Sequence, residues 1–208
     1  MELQRLTVGP LAENTYVVWE KERGVLIDPG DEPERIEAAL EAAGLNPQAI
    51  LLTHAHFDHV GAVAHLAKAH GIPIYLHALD LPLYEHAPEI AAGWGLTVPK
   101  PPPPEGFFED GDVLEFGPKF RVLHVPGHSP GHVAFFSPEH QRLFSGDVLF
   151  KGAVGRYDFP NSDREALWNS LQRLLTLPPK TTVHPGHGPE TTLENEARTN
   201  PFLRSGLP

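Results

Sequence analysis

The sequence predicts an α/β protein in which two β-sheets lie against each other with helices on the outside. Two observations carry this. Short apolar runs, too short for helices, recur between Gly- and Pro-rich turns and read as strands. They come in a loose two-fold rhythm of strands, a polar loop and a helix, with no fixed period and no linker. The 208 residues are read as one domain, 1–208, with ample material for a core. The formal net charge of −11 argues against a nucleic-acid partner, which would require a basic face. Cysteine is absent, which excludes disulfides, thiolate metal sites and a cysteine nucleophile. No run approaches the roughly 18 apolar residues of a membrane span, and the start lacks a basic and apolar leader. A soluble, cytoplasmic protein with no membrane partner is expected.

Taken in order, residues 3–8, 15–19 and 24–27 read as three strands, divided by Gly9-Pro10 and by a charged turn. Asp28 ends the third, either as a partner for a ligating histidine or in an Asx turn. Pro33 opens a helix at a position that needs no N–H; Ile36, Ala39, Leu40 and Ala43 form its buried stripe, and Gly44 closes it. Residues 49–52 are a buried strand. Val60, Val63, Ala64, Leu66 and Ala67 then recur at helical spacing up to Gly71. Another strand spans 72–77, followed by helical pieces at 79–86 and 89–94 broken at Pro88. The proline run 98–104 must be polyproline II, a stiff connector or a ligand for a proline-reading module. Residues 113–116 and 120–125 form a hairpin, as do 133–136 and 142–144. Ser162 and Glu165 read as a capping box for a helix with Leu167, Trp168, Leu171, Leu174 and Leu175 on one face. A strand at 181–183 and a helix at 193–199, stopped by Pro201, complete the chain.

The chemistry concentrates after the strand at 49–52, in Thr53-His54-Ala55-His56-Phe57-Asp58-His59. Side chains alternate in an extended segment, so His54 and His56 point the same way, about 6.5–7 Å apart along the chain. Two imidazoles so placed can grip one cation. Asp58 and His59, where the chain turns toward the helix, swing to another side and can reach a second. His128, Asp147 and His187 also follow strands in polar loops. Zinc takes about four ligands, and hydrolytic sites leave one place for water.

The pieces THAHFDH, PGHSPGH, SGDVLF and PGHGP, in this order, resemble the metallo-β-lactamase-fold hydrolases, in particular the hydroxyacylglutathione hydrolase (glyoxalase II) branch. The resemblance implies a four-layer αββα sandwich with metals at one edge between the sheets. It divides the ligands into His54, His56 and His128 for one metal and Asp58, His59 and His187 for the other, with Asp147 bridging. Two divalent ions per chain are implied, zinc first, with iron or manganese as alternatives. A hydroxide shared by the ions would cleave a small-molecule thioester such as S-lactoylglutathione, with Asp58 as the catalytic side chain. A thiolate leaves readily, its pKa being about 8.5.

The chain ends about twenty residues past His187, without the helical C-terminal domain that holds glutathione in that branch. Arg156 falls where the family places a cation, and Arg156 and Tyr157 are taken as substrate-binding; the alternative for Arg156 is a surface pair with Asp158. His132 reads as a support for the site, and His65, His70, His86 and His140 as surface residues. Gly155-Arg156-Tyr157-Asp158-Phe159 also resembles the persulfide dioxygenases of the same superfamily. They hold a single iron, which here would sit on His54, His128 and Asp147. That site would leave His59 and His187 without a use.

Overall fold

A computed structural model describes residues 1–207. The first sheet holds β1 (Glu2–Val8), β2 (Glu13–Glu20), β3 (Arg23–Ile27), β4 (Asn46–Leu51), β5 (Ile74–His77) and β6 (Gly106–Phe108), side by side in that order. The first three are antiparallel and β3 through β6 run parallel. The helices α1 (Pro33–Ala43), α2 (Val63–His70), α3 (Leu81–Glu85) and α4 (Ala87–Gly93) fill its crossovers. The second sheet is built from β7 (Val113–Glu115), β8 (Lys119–His124), β9 (Val133–Ser137) and β10 (Arg142–Gly146). A small hairpin, β11 (Leu149–Phe150) and β12 (Ala153–Val154), follows, and then α5 (Arg164–Leu174). β13 (Thr182–Pro185) and β14 (Thr191–Thr192) complete the second sheet in the order β14-β13-β10-β9-β8-β7, and α6 (Leu193–Thr199) and α7 (Pro201–Ser205) end the chain. Among the described residues no helix is long and apolar enough to cross a membrane.

Strand periodicity explains the layers. On β4, Ala49 and Leu51 face the other sheet with Tyr16, Val18, Phe120, Phe135 and Phe144, while Ile50 joins the helix-facing core with Ile36, Leu40 and Leu66. On β9, Val133 and Phe135 face inward, and Ala134 and Phe136 pack beneath Leu167 and Leu171 of α5. Strands buried on both faces must be apolar throughout, which is why they read as continuous runs and not as alternating ones. The result is the expected αββα order, with one core between the sheets and one outside each.

Several local expectations are corrected. Pro88 does not break a helix: it lies in the first turn of α4, where no N–H is needed, and the break falls at His86. Pro201 likewise starts α7, with Asn200 Oδ1 accepting from the N–H of Phe202. The cap of α5 is Asp163, which accepts from Ala166 N at 2.9 Å, and Ser162 Oγ instead donates to His128 O at 2.9 Å. The proline run holds neither helix nor strand, and Tyr84 donates its hydroxyl to Pro102 O.

Phe135 is fully buried between the sheets. Phe135→Ala is expected to cost about 3–5 kcal/mol, whereas Val113→Thr, on an exposed edge position, should stay within about 0.5 kcal/mol. Urea denaturation midpoints measure both; similar costs would mean that Phe135 does not sit in a packed core.

Candidate metal centre

The polar loops meet at one edge of the sandwich. β3 delivers Asp28 and β4 delivers the His54–His59 loop. The β8–β9 turn brings His128 and His132, β10 leads into Asp147, and β13 leads into His187. The loops are stitched together: Val133 N donates to Thr53 O at 2.7 Å, across the sheets, and Gly186 N to Gly146 O at 2.9 Å, between neighbouring strands of the second. Asn14 and Tyr16 of β2 hold the His187 loop, through Asn14 N to Gly186 O at 2.7 Å and Tyr16 OH to Pro185 O at 2.8 Å.

His56 is extended, and its ring lies 4.7 Å from that of His54, on the same side. A single 3₁₀ turn, Phe57–His59, then swings Asp58 and His59 away. His54, His56 and His128 present ligand atoms within 4.8 Å of one another, and Asp58, His59 and His187 do the same. Asp147 lies between the trios: Oδ1 is 3.5 Å from His59 Nε2, and Oδ2 is 3.6 Å from both His128 Nε2 and His187 Nε2. Backbone at this point must approach closely. A side chain at Gly186 would strike Asp147 Oδ1, and one at Gly146, which also has φ +48°, would strike Thr53 and His132.

The partners of the ring nitrogens fix which atom faces inward. His128 Nδ1–H donates to Arg156 O at 2.8 Å and His187 Nδ1–H to Leu11 O at 3.1 Å. His59 Nδ1–H donates to Asp28 Oδ2 at 3.2 Å, and His54 Nδ1–H to Thr53 Oγ1 at 3.1 Å. Each of these rings therefore turns its Nε2 toward the centre. His56 offers Nδ1, 2.9 Å from His128 Nε2. Asp28 thus acts as the partner of a cluster histidine; it also accepts from Thr53 N and Oγ1 at 2.7 and 2.6 Å. Its φ of +48° is uncommon for a side-chain-bearing residue, but Asp tolerates it.

His132 accepts from Asp147 N at 3.0 Å and stacks on His54, which makes it a support for both trios. Asp80 escaped the sequence reading. Its carboxylate accepts from Ala55 N, Ser129 Oγ and Gly131 N, and so ties the His54–His56 loop to the His128 loop. The only signal was a lone carboxylate between Leu79 and Leu81. His65 and His70 pair with Glu37, outside the cluster.

The donor set fits cations. His54 Nε2, His59 Nε2 and Asp147 Oδ1 are buried and have no hydrogen-bond partner. Leaving such groups bare costs about 1–3 kcal/mol each, and a cation at each trio would give them partners. Imidazole and carboxylate together suit zinc, iron or manganese.

Electrostatics separates the trios. Burial, helped by neighbouring rings, pushes His54 well below the ordinary imidazole value. Burial and His128 bring His56 down to about 3. Burial alone would raise Asp147 and Asp58, but His59 with its fellow imidazoles outweighs it; Asp58 is lowered, and Asp147 falls well below the usual carboxylate range. For His59 and His187 burial lowers the pKa, and the carboxylates of Asp147 and Asp58 more than reverse it. His54 and His56 therefore need shed no proton to bind a cation, whereas His59 and His187 do.

A cavity of about 680 Å³ opens over the cluster, with Phe57, Trp94, Phe150 and Phe159 among its walls. Arg156 lines it, but its guanidinium is bonded twice to Asp158, at 2.9 and 2.8 Å, and lies over the ring of Phe159. This is the surface pair that the sequence offered as the alternative. Tyr157, expected on the substrate side, packs against the apolar cluster that holds Leu167 and Leu171, and the cavity lining here includes Arg156 and Phe159.

Asp28→Ala should weaken cation binding at Asp58, His59 and His187 about 10–100-fold, read by titration with a competing chelator; unchanged affinity would mean that Asp28 does not orient His59. Calorimetry in buffers of different ionisation enthalpy should show more protons released per cation at that trio than at His54, His56 and His128. Its affinity should also fall first on acidification, because a raised pKa keeps the proton to higher pH. Equal release at both would contradict this electrostatic asymmetry.

The metallo-beta-lactamase superfamily model matches residues 8–187. The chain is 40% identical over 210 residues to the hydroxyacylglutathione hydrolase GloC of Haemophilus influenzae, with 99% of each covered. It is also 40% identical to YqgX of Bacillus subtilis, a probable metallo-hydrolase, with 98% of each covered. Among solved structures, TTHA1623 in a di-iron-bound form superposes with a TM-score of 0.92 at 63% identity, over 96% of this chain and 100% of that one. The chain belongs to the metallo-β-lactamase superfamily, as a metallo-hydrolase resembling its hydroxyacylglutathione hydrolase branch.

Proposed function

We propose that the protein hydrolyses a small-molecule thioester at a centre of two divalent cations. One is held by His54, His56 and His128, the other by Asp58, His59 and His187, and Asp147 is shared. The observation that carries this reading is the second trio. Its ligand atoms lie within 4.8 Å of one another beside Asp147, and a mononuclear iron site on His54, His128 and Asp147 would leave all three without a use. The di-iron-bound form of TTHA1623 supports the same count. Cations bound there supply Lewis acidity, which lowers the pKa of water toward neutrality and polarises a carbonyl.

The chain's own residues do the rest. Asp58 faces the cavity, 3.3 Å from His187 Nε2, and is held ionised, so it is the group placed to accept a proton from the attacking water. His128 and His187, locked through Nδ1, keep their Nε2 atoms aimed inward throughout. Apolar walls surround the floor, where Asp58 and His187 remain partly open to solvent. The thiolate departs without a dedicated acid because its pKa is about 8.5. Likeness to GloC supports a hydroxyacylglutathione-type compound such as S-lactoylglutathione as the first substrate to assay.

The test is thioester cleavage by protein stripped and reloaded with zinc, iron or manganese. Rates should be equal in air and under argon, rise with pH through about 7, and vanish with a strong chelator. Asp147→Ala should empty both trios, whereas His187→Ala should leave the three-imidazole trio loaded. Oxygen uptake with glutathione persulfide and no thioester cleavage would overturn the proposal.

A further inference from the structure

The cavity walls bear on which thioester is taken, a question that rests on the thioester reading itself. Leu83 of α3, Ile90 of α4 and Trp94 just after it line the cavity together with Phe150, Val154 and Phe159. Leu11 and Trp94, both lining the cavity, are large apolar side chains left 38% and 56% exposed. Exposed apolar surface around a concave site marks a place where apolar matter binds.

Charge points the same way. Arg156 is the one Lys or Arg among the described residues lining the cavity, and both arms of its fork are on Asp158. Asp58 and Asp147 at the floor are taken up by the cations of the proposed centre, and the rest of the chain is acidic, with a formal net charge of −11. A carrier such as glutathione brings two carboxylates and one ammonium, and finds no unpaired Lys or Arg on these walls.

We infer that the site selects thioesters with an uncharged, apolar body over anionic glutathione conjugates, and that Ile90 and Trp94 set this preference. The apolar body is either the acyl group or the thiol side, and a matched pair of six-carbon substrates distinguishes the two.

The experiment compares kcat/KM of the metal-loaded protein for acetyl and hexanoyl thioesters of N-acetylcysteamine, the acetyl thioester of hexanethiol, and S-lactoylglutathione. The better of the two six-carbon substrates should exceed the acetyl parent by at least about tenfold, as several methylenes in an apolar pocket require, and should also exceed S-lactoylglutathione. Trp94→Ala and Ile90→Ser should each shrink that six-carbon preference several-fold; exposure of Trp94 makes its variant safe for folding. S-lactoylglutathione as the best substrate, or a six-carbon preference near one, would overturn the inference. Uncleavable thioethers separate this failure from that of the hydrolase reading. If no thioester is cleaved but S-hexyl-N-acetylcysteamine binds more tightly than S-hexylglutathione by calorimetry, the hydrolase reading falls and apolar recognition stands. If neither binds, both fall.

Discussion

The buried carboxylate of Asp147 is the constraint around which the rest is arranged. It sits between two groups of imidazoles, close to His59, His128 and His187, in surroundings that would otherwise force it to take up a proton. An ionised carboxylate so placed must have compensating partners, because desolvation makes an unpaired buried charge untenable. The fold supplies them from separate loops. His132 fixes the Asp147 backbone, and two glycines, Gly146 and Gly186, let the surrounding chain come close enough. In the proposed reading the same carboxylate joins two cations, which would meet the unsatisfied lone pairs of Asp147, His54 and His59 at once.

The scaffold is rigid where the cluster needs it. Strands apolar on both faces lock the two sheets, so the loops leave from fixed points. Two further buried carboxylates brace the loops from behind. Asp28 holds Thr53 and His59, and Asp80 holds Ala55, Ser129 and Gly131. Such supports matter because loosely held ligands lose geometry and affinity together. Asp28 does this from a left-handed backbone conformation, a local strain of the kind found at functional sites.

Much of this was legible in the sequence. The His54–His59 motif announces its own geometry, since alternation fixes the first two histidines and the turn releases the next pair. The apolar runs give most strands, and the Gly and Pro punctuation gives most helix ends. What stayed hidden has physical causes. β6, β11, β12 and β14 are two or three residues long and exist only because a neighbouring strand pairs with them. Asp163 beats Ser162 to the cap of α5 because Ser162 is drawn to His128 O. Asp80 reaches backbone groups distant in sequence, which no local pattern records.

Anomalous diffraction from crystals grown with zinc, recorded above and below the metal's absorption edge, decides whether Asp147 joins two cations. Two peaks per chain are expected, one in contact with His54, His56 and His128 and one with Asp58, His59 and His187, with the Asp147 carboxylate touching both. A single peak at full loading, or two peaks without Asp147 between them, would contradict a shared carboxylate at a two-cation centre.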